Sequence, residues 1–291
     1  MKKLFIILIT IISVLPLACK SEYQLTTEPK VLPDGTDGSG GISGTYVLFG
    51  DWPQSLKEDK VKIDESAIVN VNGWDCYKGN DGYYYVKLEA KEKYYKIEPI
   101  KLRVCSQDYR GWKLLVAEKA LMIMKFYSGE YIREINDKFI YEYNYQLSGI
   151  RAYLNGLNGN AYGVEDFTGK GFLNNAFTTE ATEKIKTVTV NTEGCDATED
   201  KVFLLSLGNV TNFKYGFSSQ QYADDYKRKR INTDYVRAVM GSEYSFWWLR
   251  TPRLNSAPRR DGPYVVTDNG GIELLPDNFL NGVVPALVIS F

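Results

Sequence analysis

Trp247-Trp248-Leu249-Arg250-Thr251-Pro252 and Gly282-Val283-Val284-Pro285-Ala286-Leu287-Val288-Ile289 are two strongly apolar segments that bracket a polar, turn-rich middle. The middle carries Asn255, Arg259, Arg260, Asp261, Gly262, Tyr264, Asp268, Asn269, Gly270 and Gly271. Core strands flanking a displayed surface have this form, because loops vary freely on a scaffold that cannot. The tail is also uneven in composition. From Thr251 to the end there is no Lys, Met, Gln or Trp, and the only Glu is Glu273. By proportion about four Lys would be expected there. A β-rich tail disfavours Lys and Gln and supplies one explanation.

Composition bounds the rest. The chain has 291 residues, 44% hydrophobic and 14% aromatic, enough to bury a sizeable core in one large domain or two small ones. Tyr occurs 22 times, and aromatic and β-branched runs outweigh helix formers, so strand should exceed helix. A formal net charge of −1 leaves no basic field for nucleic acid. There is no His, which removes the commonest general base, metal ligand and triad partner. Nor is there a GxSxG, P-loop, HExxH or Rossmann fingerprint. No catalytic residue, metal site or cofactor is assigned.

The N-terminus has the form of a secretion signal. Lys2 and Lys3 precede an apolar run too short to span a bilayer, ending Pro16-Leu17-Ala18-Cys19. A small residue before a Cys resembles a bacterial lipoprotein signal, with Cys19 the lipidated first residue; cleavage near Ala18 is the alternative. Residues 1–19 are therefore assigned as signal peptide and residues 20–44, rich in Gly, Pro, Ser and Thr, as a flexible tether. Residues 45–291 form one domain, as no composition break divides them. Of the other cysteines, Cys105 reads as a small core residue, and Cys76 and Cys195 could pair if the fold brings them together.

Within the domain, Tyr46-Val47-Leu48-Phe49-Gly50 predicts a strand, and Asp51-Trp52-Pro53-Gln54 a turn. A hairpin is predicted over residues 83–97, and two strands over 100–104 and 112–116. Helices are predicted over 148–157, with Ser148 as cap, over 172–177, over 179–185 and over 233–240. Val202-Phe203-Leu204-Leu205 reads as a buried strand or strand end. Residues 220–230 read as a polar helix whose end, Lys227-Arg228-Lys229-Arg230, is a solvated cationic terminus. Acidic groups at Asp59, Asp64 and Glu65, or at Asp196, Glu199 and Asp200, lack an EF-hand pattern and read as loop acids. Trp247 and Trp248, on opposite faces of a strand, read as core. Arg250, in an apolar strand, should snorkel or pair with a buried acid.

Several segments, each weak alone, fall in one order. They are Phe49-Gly50-Asp51-Trp52-Pro53-Gln54, Tyr95-Lys96-Ile97-Glu98-Pro99-Ile100, Ser148-Gly149-Ile150-Arg151-Ala152-Tyr153-Leu154-Asn155, Asn175-Ala176-Phe177-Thr178, Val202-Phe203-Leu204-Leu205-Ser206, and the two tail segments quoted first. Together they resemble bacterial C-type-lectin-like domains of the formylglycine-generating-enzyme type. With the lipoprotein signal, they resemble the Treponema-type variable proteins of diversity-generating retroelements. Val284 stands where relatives carry Arg, so a salt bridge made there would be missing.

The resemblance implies an α+β, C-type-lectin-like fold of short antiparallel strands and a few helices. In such proteins the last segment is rewritten by adenine-directed mutagenesis, chiefly at Asn codons. Changes at the first two bases of those codons never yield Lys, Met, Gln, Trp or Glu, which matches the depleted tail and leaves Glu273 an invariant position. The oxidase activity of the formylglycine-generating enzymes uses cysteines near the C-terminus; this chain has none after Cys195. The implied role is ligand binding at the cell surface, on an outer membrane to which Cys19 anchors the chain, with a protein or glycan partner. Within a variable region at 247–291, the displayed set is Arg253, Leu254, Asn255, Arg259, Arg260, Asp261, Tyr264, Val266, Asp268, Leu274, Pro276 and Asp277. The scaffold is Trp247, Trp248, Leu249, Arg250, Gly282, Pro285, Ala286 and Leu287. A carbohydrate-active or oxidative enzyme on the same fold and a structural envelope protein are the alternatives.

Overall fold

Alternating aromatic and β-branched residues build the first third of the chain into strands around one long central element. The computed structural model describes residues 22–32, 45–127, 132–135, 137–141, 143–253, 262–276 and 279–290. The central element is β6, Lys93–Tyr109. It pairs with β5 (Tyr84–Leu88) at its start, β2 (Tyr46–Leu56) along its middle and β7 (Trp112–Ala117) at its end, always antiparallel. Beyond β5 the sheet continues through β4 (Trp74–Gly79) to β3 (Ile63–Val71). The predicted hairpin over 83–97 is β5–β6, joined by a short 3-10 turn, Glu89–Lys91. β6 runs on to Tyr109 because its turn to β7 needs only two residues. Arg110 and Gly111 both have positive φ, 56° and 87°, the twist that suits a tight hairpin.

The four residues Asp51-Trp52-Pro53-Gln54 do not form a turn; they continue β2. The strand absorbs Pro53 through irregular pairing, with register shifts against β6 on either side of the segment. Gly50 makes the first bend with φ +74°, and a Cβ there would lie 2.5 Å from the Phe177 ring. Trp52, 1% exposed, points inward against Trp74 and Phe172 and donates its indole N–H to Leu121 O at 2.8 Å. The core thus receives a large ring with its polar atom satisfied.

The helices are short and locally capped. In α1 (Gly149–Asn155) the Ser148 hydroxyl accepts from Arg151 N, and Gly156 ends it in the left-handed region. α2 (Phe172–Ala176), α3 (Thr179–Lys184) and α4 (Leu207–Val210) follow, and Thr233 caps α5 (Asp234–Met240). Asn155 at the end of α1 donates to Val202 O and accepts from Val202 N, tying the helix to β9, Val202–Phe203.

A second sheet collects the tail. Its order is β12 (Ile272–Leu274), β11 (Pro263–Val266), β10 (Trp247–Pro252), β13 (Asn281–Val283) and β8 (Met122–Met124). After Val284-Pro285 the chain leaves it, and β14 (Ala286–Ile289) enters the first sheet between β7 and β9. The architecture is mixed α+β and mostly antiparallel; β10 and β13 pair in parallel.

Residues 22–32, read as part of a flexible tether, lie on the domain. β1, Lys30–Leu32, pairs with β2, and Tyr23 and Thr26 bond to Asp51. Gly and Pro cluster after residue 32, so composition diluted this shorter docked segment. Cys76, Cys105 and Cys195 are free thiols, the first two buried.

Trp52→Ala should lower stability by about 3–5 kcal/mol, the usual cost of a buried large-to-small change. Phe139→Ala, at a side chain 66% exposed, should stay within about 0.5 kcal/mol. Denaturant titrations of the two variants check this.

Candidate functional site

The tail site rests on β10. Trp247, Trp248 and Leu249 are fully buried and Arg250 nearly so. Adjacent strand residues face opposite ways, so both faces of β10 must be covered. On one side Trp248 donates its indole N–H to Met124 O at 2.9 Å and meets Phe126 edge-on. On the other, Trp247 donates to Arg228 O at 3.1 Å, with the Arg230 guanidinium 5.6 Å from its ring. Arg250 does not snorkel, and among the described residues no acid pairs with it. Its guanidinium donates to Leu204 O, Asn209 Oδ1 and Asn191 O and lies over Phe203. The nearby buried acid, Asp200, is held by Arg151 at 2.9 Å instead. Burial lowers the Arg250 pKa from its ordinary value, yet a guanidinium stays charged. Gly282, Pro285, Ala286 and Leu287 are also buried.

The basic run at 227–230 departs most from its sequence reading. Residues 220–230 form turns rather than a helix, and Arg228 and Arg230 are buried while Lys227 is half-buried. Arg228 is 0% exposed and sits in a shell of backbone carbonyls. Nε donates to Val210 O at 2.9 Å, Nη1 to Gly270 O at 3.0 Å, and Nη2 to Ser218 O at 2.6 Å and Gln220 O at 2.7 Å. Asp225 supplies the counter-charge at 3.5 Å. Its own carboxylate accepts from Ser218 N and Lys227 N, closing the loop on itself. Only a planar fork of donors can satisfy so many converging carbonyls. Gly270 seals the arrangement: at φ +88°, its missing Cβ would sit 2.0 Å from Asp225 O.

This loop carries Tyr222 to the tail. Tyr222, Arg253, Tyr264, Ile272, Glu273 and Leu274 line a concavity of about 550 Å³ on the outer side of β11 and β12. Tyr264 pairs in register with Leu274, so the two side chains are cross-strand neighbours. Val265, on the opposite face, and Val266, next along the same face, are fully buried.

Of the displayed set, Arg253, Tyr264 and Leu274 come together in this concavity. Asp268 and Pro276 are exposed but do not line it. Val266 is a correction. It is 0% exposed, because its strand is flanked on both sides, Val266 pairing with Trp247 of β10 and with Ile272 of β12, both themselves buried. Leu254, Asn255, Arg259, Arg260, Asp261 and Asp277 lie outside the described residues. Sequence reasoning missed Tyr222, Ile272 and Glu273 as lining. Tyr222 gave no signal, since it lies some 30 residues before Arg253 in a segment taken for a helix. Among the described residues no group of three His, Cys, Asp or Glu side chains is placed to hold a metal ion.

Residues 111–291 match the family model of DUF6273, a domain of unknown function. The chain belongs to the DUF6273 family. No curated protein and no solved structure matches it. The DUF6273 region begins in the turn between β6 and β7. It includes the whole second sheet, the Arg228 loop and every residue of the concavity, while β1 to β6 precede it.

Arg228→Ala should destabilise the protein by about 3 kcal/mol or more, because several buried carbonyls lose a charged donor together. Arg228→Lys should recover only part of this. Denaturant midpoints, with amide exchange of residues 218–228 as the local readout, decide it.

Proposed function

We propose that this protein is a lipid-anchored cell-surface receptor, with a C-type-lectin-like domain of the formylglycine-generating-enzyme type. It binds an extracellular protein or glycan through its tail, and a diversity-generating retroelement varies that tail. One observation carries the reading. Tail side chains Arg253, Tyr264 and Leu274 line a concavity while Val265, Val266 and the adjoining Trp247, Trp248 and Leu249 are fully buried. Arg253 is exposed and Leu274 half-buried outside the main core, so both can change with little effect on it, whereas half-buried Tyr264 also packs against that core. Tyr and Arg are also the residues that most often anchor interfaces. The volume lies within the roughly 300–1,000 Å³ of ligand pockets.

The absence of Lys, Met, Gln and Trp from residues 251–291 supports the same reading. Glu273, which adenine-directed change at Asn codons cannot create, lines the concavity as a fixed residue among variable ones. Buried Val266 leaves the variable set on this view.

The double variant Tyr264→Asn/Leu274→Asn should alter binding on glycan and protein arrays and lower stability by only about 1–2 kcal/mol, the part owed to half-buried Tyr264 and its cross-strand pairing. Trp247→Ala should cost about 3–5 kcal/mol. Thermal melts that show equal destabilisation would defeat the division into frame and display. At the gene, a near-identical adenine-rich template repeat and a reverse transcriptase gene should lie alongside; their absence would remove the retroelement from the reading.

A further inference from the structure

The segment 22–32 is fastened at several points. Tyr23 N donates to Gly82 O at 2.8 Å, and its ring stacks on Tyr83 at 4.7 Å. Glu22 accepts from the Tyr84 hydroxyl and pairs with Lys78 at 2.8 Å. The buried carboxylate of Asp51, 2% exposed, accepts from the Tyr23 hydroxyl, from Thr26 N at 2.7 Å and from Thr26 Oγ1 at 3.0 Å. Releasing the segment would take these donors from a carboxylate inside the protein, which is strongly unfavourable. Glu22 is therefore fixed on the β4–β5 hairpin.

Cys19 lies three residues earlier. Three residues of fully extended chain span at most roughly 11 Å. An acylated Cys19 sits at the lipid headgroups, so Glu22 and its surroundings can stand no farther from them than that. Those surroundings suit such a place. Tyr23, Tyr83 and Tyr84 combine apolar rings with polar tips, and Lys78 and Lys96 lie over the rings of Tyr84 and Tyr83.

We propose that the β4–β5 hairpin, centred on Lys78, Tyr83 and Tyr84, is a membrane-seating surface that rests on phospholipid headgroups. The inference rests on the lipid-anchor reading of Cys19. β6 supplies the internal ruler. It starts beside this hairpin, at Lys96 over Tyr83, and runs to Tyr109, up to roughly 40 Å away at about 3.3 Å per residue. On this seating the Arg110-Gly111 turn, at the far end of β6, lies away from the bilayer. The docked segment acts as a rigid stem where a flexible one would let the domain tumble.

The test uses the acylated full chain in phosphatidylethanolamine–phosphatidylglycerol vesicles carrying a rhodamine headgroup. A donor dye is placed at Asn80→Cys or Asp108→Cys, each in a Cys195→Ser background. Transfer to the lipid acceptor should be several-fold greater from position 80 than from position 108. Adding Tyr23→Ala/Thr26→Ala should erase the difference while the protein still pellets with vesicles. Equal transfer from the two positions in the otherwise unaltered chain, or a difference that survives the double substitution, overturns the seating surface. Cys19→Ser should abolish pelleting; if it does not, the lipid anchor itself is wrong and the proposal falls with it.

Discussion

The nine residues Asn281–Ile289 hold the two sheets together. β13 pairs with β10 and β8 in the second sheet, and β14 pairs with β7 and β9 in the first. Between them Val284 is fully buried, and Pro285 O accepts from Ala117 N. A single short segment therefore contributes to both hydrogen-bond ladders, and its side chains fill the space between them. This explains why the tail is apolar at both ends and polar only between them. Between those ends β11 and β12 still pack on the core through Val265, Val266 and Ile272, while Arg253, Asp268, Glu273 and Pro276 are exposed.

A second constraint follows from burying charge. Arg228 and Arg250 are both inside the protein, and both are satisfied chiefly by backbone carbonyls rather than by carboxylates. Each guanidinium ties together segments distant in the chain. Arg250 links β10 to residues 191, 204 and 209, and Arg228 links the 218–228 loop to Val210 and Gly270. An uncharged residue of the same size would leave those carbonyls unpaired, so the charge is retained for its donors. The concavity depends on this arrangement, since Tyr222 belongs to the loop that Arg228 gathers.

Much of the fold was legible locally. Ser148 and Thr233 cap helices where the sequence places them, because a cap is a contact between residues three apart. The 83–97 hairpin was legible for the same reason. The 227–230 run was misread because four cationic residues in a row resemble a solvated helix end, and nothing nearby announces the carbonyls that surround Arg228. The Asp51–Gln54 segment was misread because a proline after an acid is a turn signal. The bulged pairing with β6 that accommodates it involves residues more than 40 positions away.

The sequence by itself determined the excess of strand over helix, the capped helices, the buried tryptophan pair and the division of the tail into apolar ends and a polar middle. Each follows from the period and chemistry of neighbouring residues. Only the tertiary structure decided that Tyr222 joins Arg253, Tyr264 and Leu274, that Val266 is covered, and that residues 22–32 dock on Asp51. These depend on which distant segments meet, and packing around buried charges, not local preference, chooses those partners.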